Sequence, residues 1–191
     1  MKIGILALQG AFSEHQVMLE KLGAETVQVR LSRQLAGVDA LIIPGGESTT
    51  IGKLAVDFGM LDDLIDYGKS HPVWGTCAGA IFLSKDAHRS QPLLGLMDIT
   101  TERNAFGRQV DSFETDLNIA ALNTNGRPFH AVFIRAPLIK SVGEGVQILA
   151  ALPDGRIVAA RQNQWLATSF HPELTNDDRF HRYFMEMVLS K

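Results

Sequence analysis

A single cysteine among 191 residues rules out an intrachain disulfide, and with it a small disulfide-stapled secreted fold. The same scarcity fits a reducing, cytoplasmic setting. Long apolar runs are missing as well, so nothing reads as a membrane span. Lys2 ahead of the apolar residues 3–8 imitates a signal peptide, but that run is too short and ends at Gln9-Gly10. Lys and Arg are scattered, the net charge is −3 and the pI about 6.0, so neither a nucleic acid nor an anionic membrane is expected as a partner. Repeats, low-complexity tracts and Pro/Ser-rich linkers are absent, which leaves one domain over residues 1–191.

Hydrophobic residues make up 46% of the chain and charged residues 20%, enough apolar material for a substantial core. Short apolar runs alternate with amphipathic segments. That pattern predicts an α/β fold: an open, mostly parallel sheet with helices on both faces. Strands are expected at residues 3–8, 26–31, 39–43 and 72–76, and helices at 12–22 and 60–69, the first closed by Gly23. Residues 93–160 read as richer in strands, among them 129–134 and 148–152. Pro153-Asp154-Gly155 reads as a hairpin turn into 156–160. A further strand is expected over 166–170. A last helix at 177–189 carries Phe180, Tyr183, Phe184, Met187 and Val188 on one face, with Thr175 or Asn176 as its cap.

Chemistry enters at Gly75-Thr76-Cys77-Ala78-Gly79, directly after an apolar strand. A lone cysteine is on general grounds more often a small buried hydrophobe than a nucleophile. Gly-x-Cys-x-Gly between a strand and a helix is instead the cysteine form of the nucleophile elbow. Glycines without a Cβ permit the tight turn, and the N-terminus of the next helix favours thiolate over thiol. The N–H of Ala78 can then face a developing oxyanion.

A thiol nucleophile needs a base, and the base needs an orienting group. His171 follows the 166–170 strand, is held out of the α region by Pro172, and has Glu173 two residues on. His15, His71, His88, His130 and His181 lack such a setting and read as surface or packed residues. A third feature is the loop Pro44-Gly45-Gly46-Glu47-Ser48-Thr49-Thr50 at the carboxyl end of a strand, where α/β ligand sites lie. A phosphate-binding P-loop is rejected there. Five residues separate Gly46 from Gly52 where four are needed, and Leu54 follows Lys53 in place of Ser or Thr.

In the order Gly-Gly loop, cysteine elbow, His-Pro-Glu, the chain resembles the class I (triad) glutamine amidotransferases. Within them it is most similar to the glutaminase subunits of pyridoxal 5′-phosphate synthase. The cysteine elbow and His-Pro-Glu specify only the class, and Phe133-Ile134-Arg135-Ala136-Pro137 and Ser169-Phe170-His171-Pro172-Glu173 extend the match; the finer resemblance rests on Gln9-Gly10-Ala11, Gly45-Gly46-Glu47-Ser48-Thr49-Thr50 and Glu102-Arg103-Asn104-Ala105-Phe106-Gly107-Arg108. It implies a flavodoxin-like architecture and hydrolysis of L-glutamine through a thioester on Cys77. It also implies His171 as base, Glu173 as its orienter, and an oxyanion hole at Gly46 and Ala78. Gly46, Glu47, Ser48, Arg103, Ile134 and Arg135 would line the glutamine site, with Arg135 acting either structurally or mainly through its backbone. No cofactor or metal is implied. The implied partner is the PdxS synthase subunit, which would use the ammonia to build pyridoxal 5′-phosphate. A glutaminase for another synthase, such as the imidazole glycerol phosphate type, and a non-catalytic regulatory subunit are the alternatives. One departure from the pattern is Ala80, where a larger apolar residue such as Met is expected.

Overall fold

A computed structural model describes residues 1–103, 112–122 and 126–190. In chain order the elements are β1 (Lys2–Leu6), α1 (Phe12–Lys21), β2 (Glu25–Val29), β3 (Ala40–Ile43), α2 (Ser48–Asp57) and α3 (Leu61–Ser70). These are followed by β4 (Val73–Thr76), α4 (Ala78–Leu83), β5 (Ser84–Asp86), β6 (Met97–Glu102), β7 (Ser112–Leu117) and β8 (Phe129–Ile134). The remaining elements are β9 (Leu138–Val142), β10 (Gln147–Ala151), β11 (Ile157–Gln162), β12 (Trp165–Thr168) and α5 (Arg179–Leu189).

One half of the main sheet is parallel, in the order β2-β1-β3-β4-β12. This is the doubly wound order in which a crevice opens outside the carboxyl ends of the strands, where the order reverses. The central strands are apolar on both faces because helices cover both. In β3, Ala40 and Ile42 join the cluster under α1 and α5, while Leu41 and Ile43 join the one under α2, α3 and α4. The parallel sheet with helices on either face is thus as the alternation of apolar runs predicts. Beyond β12 the sheet turns antiparallel through β11, β9 and β6. The strand-rich middle of the chain supplies that half, and the Pro153-Asp154-Gly155 turn joins β10 to β11 as expected.

Several boundaries shift. The first strand stops at Leu6 rather than residue 8, and Leu8 to Gly10 turn instead. Gly23 follows the end of α1 with φ +83°, the left-handed conformation that glycine takes most readily after a helix. The glycine loop ends earlier than its motif suggests, because Ser48 to Thr50 already belong to α2. The last helix starts at Arg179, two residues later than expected, and neither Thr175 nor Asn176 caps it. The Thr175 hydroxyl accepts from Asp177 N–H, and the Asp177 carboxylate accepts from Arg179 N–H, so a polar turn precedes the helix.

The β7–β8 hairpin packs on the α1/α5 side through Phe129 and Phe133. The N–H of His171 donates to the carbonyl of Val132 at 2.9 Å, which fastens this hairpin to the loop beyond β12.

Candidate active site

Four loops converge at the carboxyl ends of the parallel strands. They follow β1, β3, β4 and β12 and carry Gln9-Gly10, Gly45-Gly46, Cys77 and His171.

Cys77 sits between β4 and α4 with φ +48° and ψ −109°. Such a conformation costs a non-glycine residue about 1–3 kcal/mol and persists only where the surroundings enforce it. Here the enforcement is visible. A Cβ on Gly75 would overlap the Gly79 carbonyl, and one on Gly79 would overlap the Ile43 carbonyl. The N–H of Cys77 donates to Thr168 at 2.8 Å, binding the turn to β12. As the first residue of α4, Ala78 presents an N–H that has no partner within the helix. Ala80 is fully buried in that helix.

His171 adopts φ −107° and ψ 85°, outside the α region as Pro172 requires. Its Nδ1 lies 2.7 Å from Oε1 of Glu173, a residue of the short 3₁₀ turn Pro172–Leu174. That leaves Nε2 as the free ring nitrogen, with Cys77 near enough to act on the imidazole. Burial pulls the His171 pKa down, but the hydrogen bonds and negative charges of Cys77 and Glu173 outweigh it and raise the value to about 10. The imidazolium form is therefore favoured at His171, beside the sulfur of Cys77. Burial would push Glu173 up, yet the imidazoles of His15 and His171 keep its carboxyl below the ordinary range. Cys77, His171 and Glu173, the three residues singled out in the sequence, lie together here.

The Gly-Gly loop is clamped from the β1 turn. Ala11 N–H donates to the Gly45 carbonyl at 3.0 Å, and Gln9 Oε1 accepts from Glu47 N–H at 2.7 Å. Because the Gly45–Gly46 peptide is trans, holding its carbonyl toward Ala11 turns the Gly46 N–H to the opposite edge. Gly10, at φ +105°, allows this approach, since a Cβ there would overlap the Gly45 oxygen. A Cβ on Gly45 would overlap the His171 ring and reach within 3.2 Å of the Cys77 Cβ.

A cleft of about 220 Å³ lies over the sulfur. Gly46, Glu47, Ser48, Cys77, Ala78, Arg103 and Arg135 line it, together with Gln9. Its size suits a ligand smaller than a drug-like molecule. Ile134 enters differently from its neighbours. Its carbonyl oxygen stands 3.9 Å from the Cys77 sulfur, while its side chain is exposed. Arg135, next along, is held at φ +44°. A wider groove of about 440 Å³ between α1 and the turn after β12 reaches Glu173 from behind and touches neither Cys77 nor Arg103.

Glu47 does more than line the cleft. Its carboxylate accepts from the N–H and hydroxyl groups of Thr49 and Thr50, capping α2. Burial raises its pKa, but those hydrogen bonds bring it down to about 2. Arg103 pairs with it at 2.8 Å. The guanidinium expected to meet a substrate carboxylate is therefore already beside an acid, at the rim of the cleft. Asn104 to Gln109, the rest of the motif that begins at Glu102, lie outside the described residues.

Sequence reasoning missed the groups behind the triad. His15 and His181 are packed, as one of the two readings held, but they are also fully buried and paired with each other, and His15 reaches Thr76 and Glu173 as well. The available signal was helical spacing, because His15 shares its face of α1 with Met18 and Leu19. His71 is partly buried against Tyr67, and His88 and His130 are exposed.

The sequence profile of the SNO glutamine amidotransferase family matches residues 5–190. A "Pyridoxal 5'-phosphate synthase subunit PdxT" of Herpetosiphon aurantiacus is 60% identical over 190 residues, which are 97% of this chain and 99% of that one. A protein of the same name from Dehalococcoides mccartyi is 58% identical, over 98% of this chain and 97% of its own. Among solved structures, a "glutamine amidotransferase" crystal structure superposes with a TM-score of 0.91 at 52% identity, covering 97% of this chain and 98% of its own.

Proposed function

The chain belongs to the SNO glutamine amidotransferase family, and from that premise we propose that it is the glutaminase subunit of a pyridoxal 5′-phosphate synthase. It hydrolyses L-glutamine to L-glutamate and ammonia, and the ammonia passes to the PdxS synthase subunit. The observation that carries this reading is Cys77 in the lining of the cleft, with His171 and Glu173 buried behind it. The setting is cytoplasmic. Among the described residues no helix is long and apolar enough to cross a membrane.

In the reaction the Cys77 thiolate attacks the side-chain amide carbon of glutamine. The oxyanion that forms is met by the N–H groups of Gly46 and Ala78, at the end of the clamped loop and at the start of α4. His171 gives its proton to the departing ammonia, leaving a γ-glutamyl thioester. It then takes a proton from water, which attacks the thioester and frees glutamate and the thiol. Glu173 keeps Nδ1–H of His171 engaged throughout, so Nε2 is always the nitrogen that works. Glu47, Ser48, Arg103 and Arg135 hold the amino-acid end, with the Ile134 carbonyl beside the reacting sulfur. Arg103 is suited to the α-carboxylate, which it would meet by sharing or leaving Glu47.

Isolated chain is expected to turn over slowly and the chain mixed with PdxS much faster, because the partner sets the Gly45-Gly46 loop. A glutamine-analogue electrophile should label Cys77, and Cys77→Ala should abolish ammonia release from the complex. Undiminished release by that variant sinks the reading.

A further inference from the structure

Behind the triad lies a second pair of histidines that the hydrolysis as described does not use. His15 on α1 and His181 on α5 are both 0% exposed. Nδ1 of His15 is 2.9 Å from Nε2 of His181. Nε2 of His15 points the other way, 3.2 Å from the Thr76 hydroxyl and 3.4 Å from Oε2 of Glu173. Among the described residues Oε2 has no hydrogen-bond partner within ordinary distance, and neither has Nδ1 of His181. A buried carboxylate oxygen and a buried ring nitrogen without partners are rare enough to need an account.

Proton placement supplies one. The nitrogens that meet between the two rings share one hydrogen. If His15 donated it, His181 would carry its own proton on Nδ1, a buried N–H with no acceptor. The lone pair of His15 Nε2 would then face a carboxylate. If His181 Nε2–H donates instead, the group left unpartnered is a lone pair, the less costly of the two orphans. His15 then bears its proton on Nε2, aimed at Thr76 and at Glu173. Both rings are neutral in this arrangement, and their N–H dipoles run in series toward the carboxylate. Trp74 closes the pocket with edge-on contacts to both rings, at 5.6 and 5.0 Å between centroids.

We propose that His15, with His181 behind it, is a positioning residue for the hydrolysis: its Nε2–H holds the free oxygen of Glu173, keeping that carboxylate ionised and its other oxygen on His171. The proposal rests on the glutaminase reading and deepens it. The titratable groups facing His15 are Glu173 and His171 from the loop after β12, His181 from α5 and Glu14 on its own helix. Burial is the largest influence on His15 and holds its pKa down, Glu173 and Glu14 opposing it. Burial and the neighbouring His15 hold the His181 pKa down as well.

The first test needs no variant and no turnover. Long-range nitrogen–proton NMR on the native chain should show both rings as neutral Nε2–H tautomers, unchanged between about pH 6 and 9. An Nδ1–H tautomer on either ring, or a His15 that titrates in that window, overturns the proposal. The second test uses the complex with PdxS after native turnover has been established. His15→Phe should lower kcat about tenfold or more, leave KM for glutamine within about twofold, and move the acid limb of the kcat/KM profile up by about one pH unit. His15→Gln, whose amide can still donate toward Glu173, should recover most of kcat and the native limb. A Phe variant with native kcat and pH profile, or a Gln variant no better than Phe, overturns it. Native chain that fails to hydrolyse glutamine with PdxS would refute the glutaminase reading instead, leaving the tautomer result to stand or fall alone.

Discussion

Nδ1 of His171 lies 2.7 Å from Oε1 of Glu173, two residues away across a proline, so base and orienter are set by one short turn. This ion pair stabilises the folded chain in a pH-dependent way. The folded His171 pKa of about 10 stands above the ordinary value of 6.5 that the unfolded chain would show. Its contribution is therefore complete below about pH 6.5 and is lost as pH rises through about 10. Urea midpoints should fall across that window. Glu173→Gln or Cys77→Ala should flatten the slope, since each removes a charge that holds the proton on His171.

Gly45→Ala should abolish glutamine hydrolysis while leaving the chain folded. The added methyl would overlap the His171 ring, and the side chains of the site must move to admit it. Circular dichroism should be native, and thiol labelling of Cys77 at neutral pH should slow as the imidazolium is displaced. Native rates would contradict the packing described.

Arg103→Met should raise KM for glutamine about tenfold or more and change kcat little, because in the proposed reaction the guanidinium, which lines the cleft, meets the carboxylate end and not the reacting amide. Steady-state kinetics of the complex checks this. A fall in kcat alone would assign Arg103 another role.

Glu47→Ala should cost about 1 kcal/mol of stability, the usual worth of a helix cap. The native carboxylate, at about 2 when folded, stabilises the protein fully above its ordinary value of 4.5 and loses that contribution as pH falls toward 2. Acid unfolding of the variant should lack this component, which a titration with guanidinium at several pH values would show.

What could be seen in the sequence was whatever is local. The Cys77 elbow announces itself because its glycines lie two residues to either side, and His171 and Glu173 because Pro172 stands between them. The parallel strands were legible as apolar runs buried on both faces. Helix α2 was hidden because its cap is a glutamate, a residue seldom in that role, and because the glycines before it read as loop. The His15–His181 contact joins residues 166 apart, and no spacing rule reaches that far. The pairing of Arg103 with Glu47 was invisible for the same reason, since both residues were expected to face substrate.

Strands β4 and β12 lie side by side in register, Thr76 opposite Thr168, with the Trp74 indole donating to Thr168 across a separation of 94 residues. Cys77 and His171 extend those two strands, so nucleophile and base meet only when the later strand docks on the earlier. A chain still leaving the ribosome carries its thiol without its base. Glutamine is safe from it throughout synthesis, and the first ammonia is released only by a molecule whose sheet is already assembled.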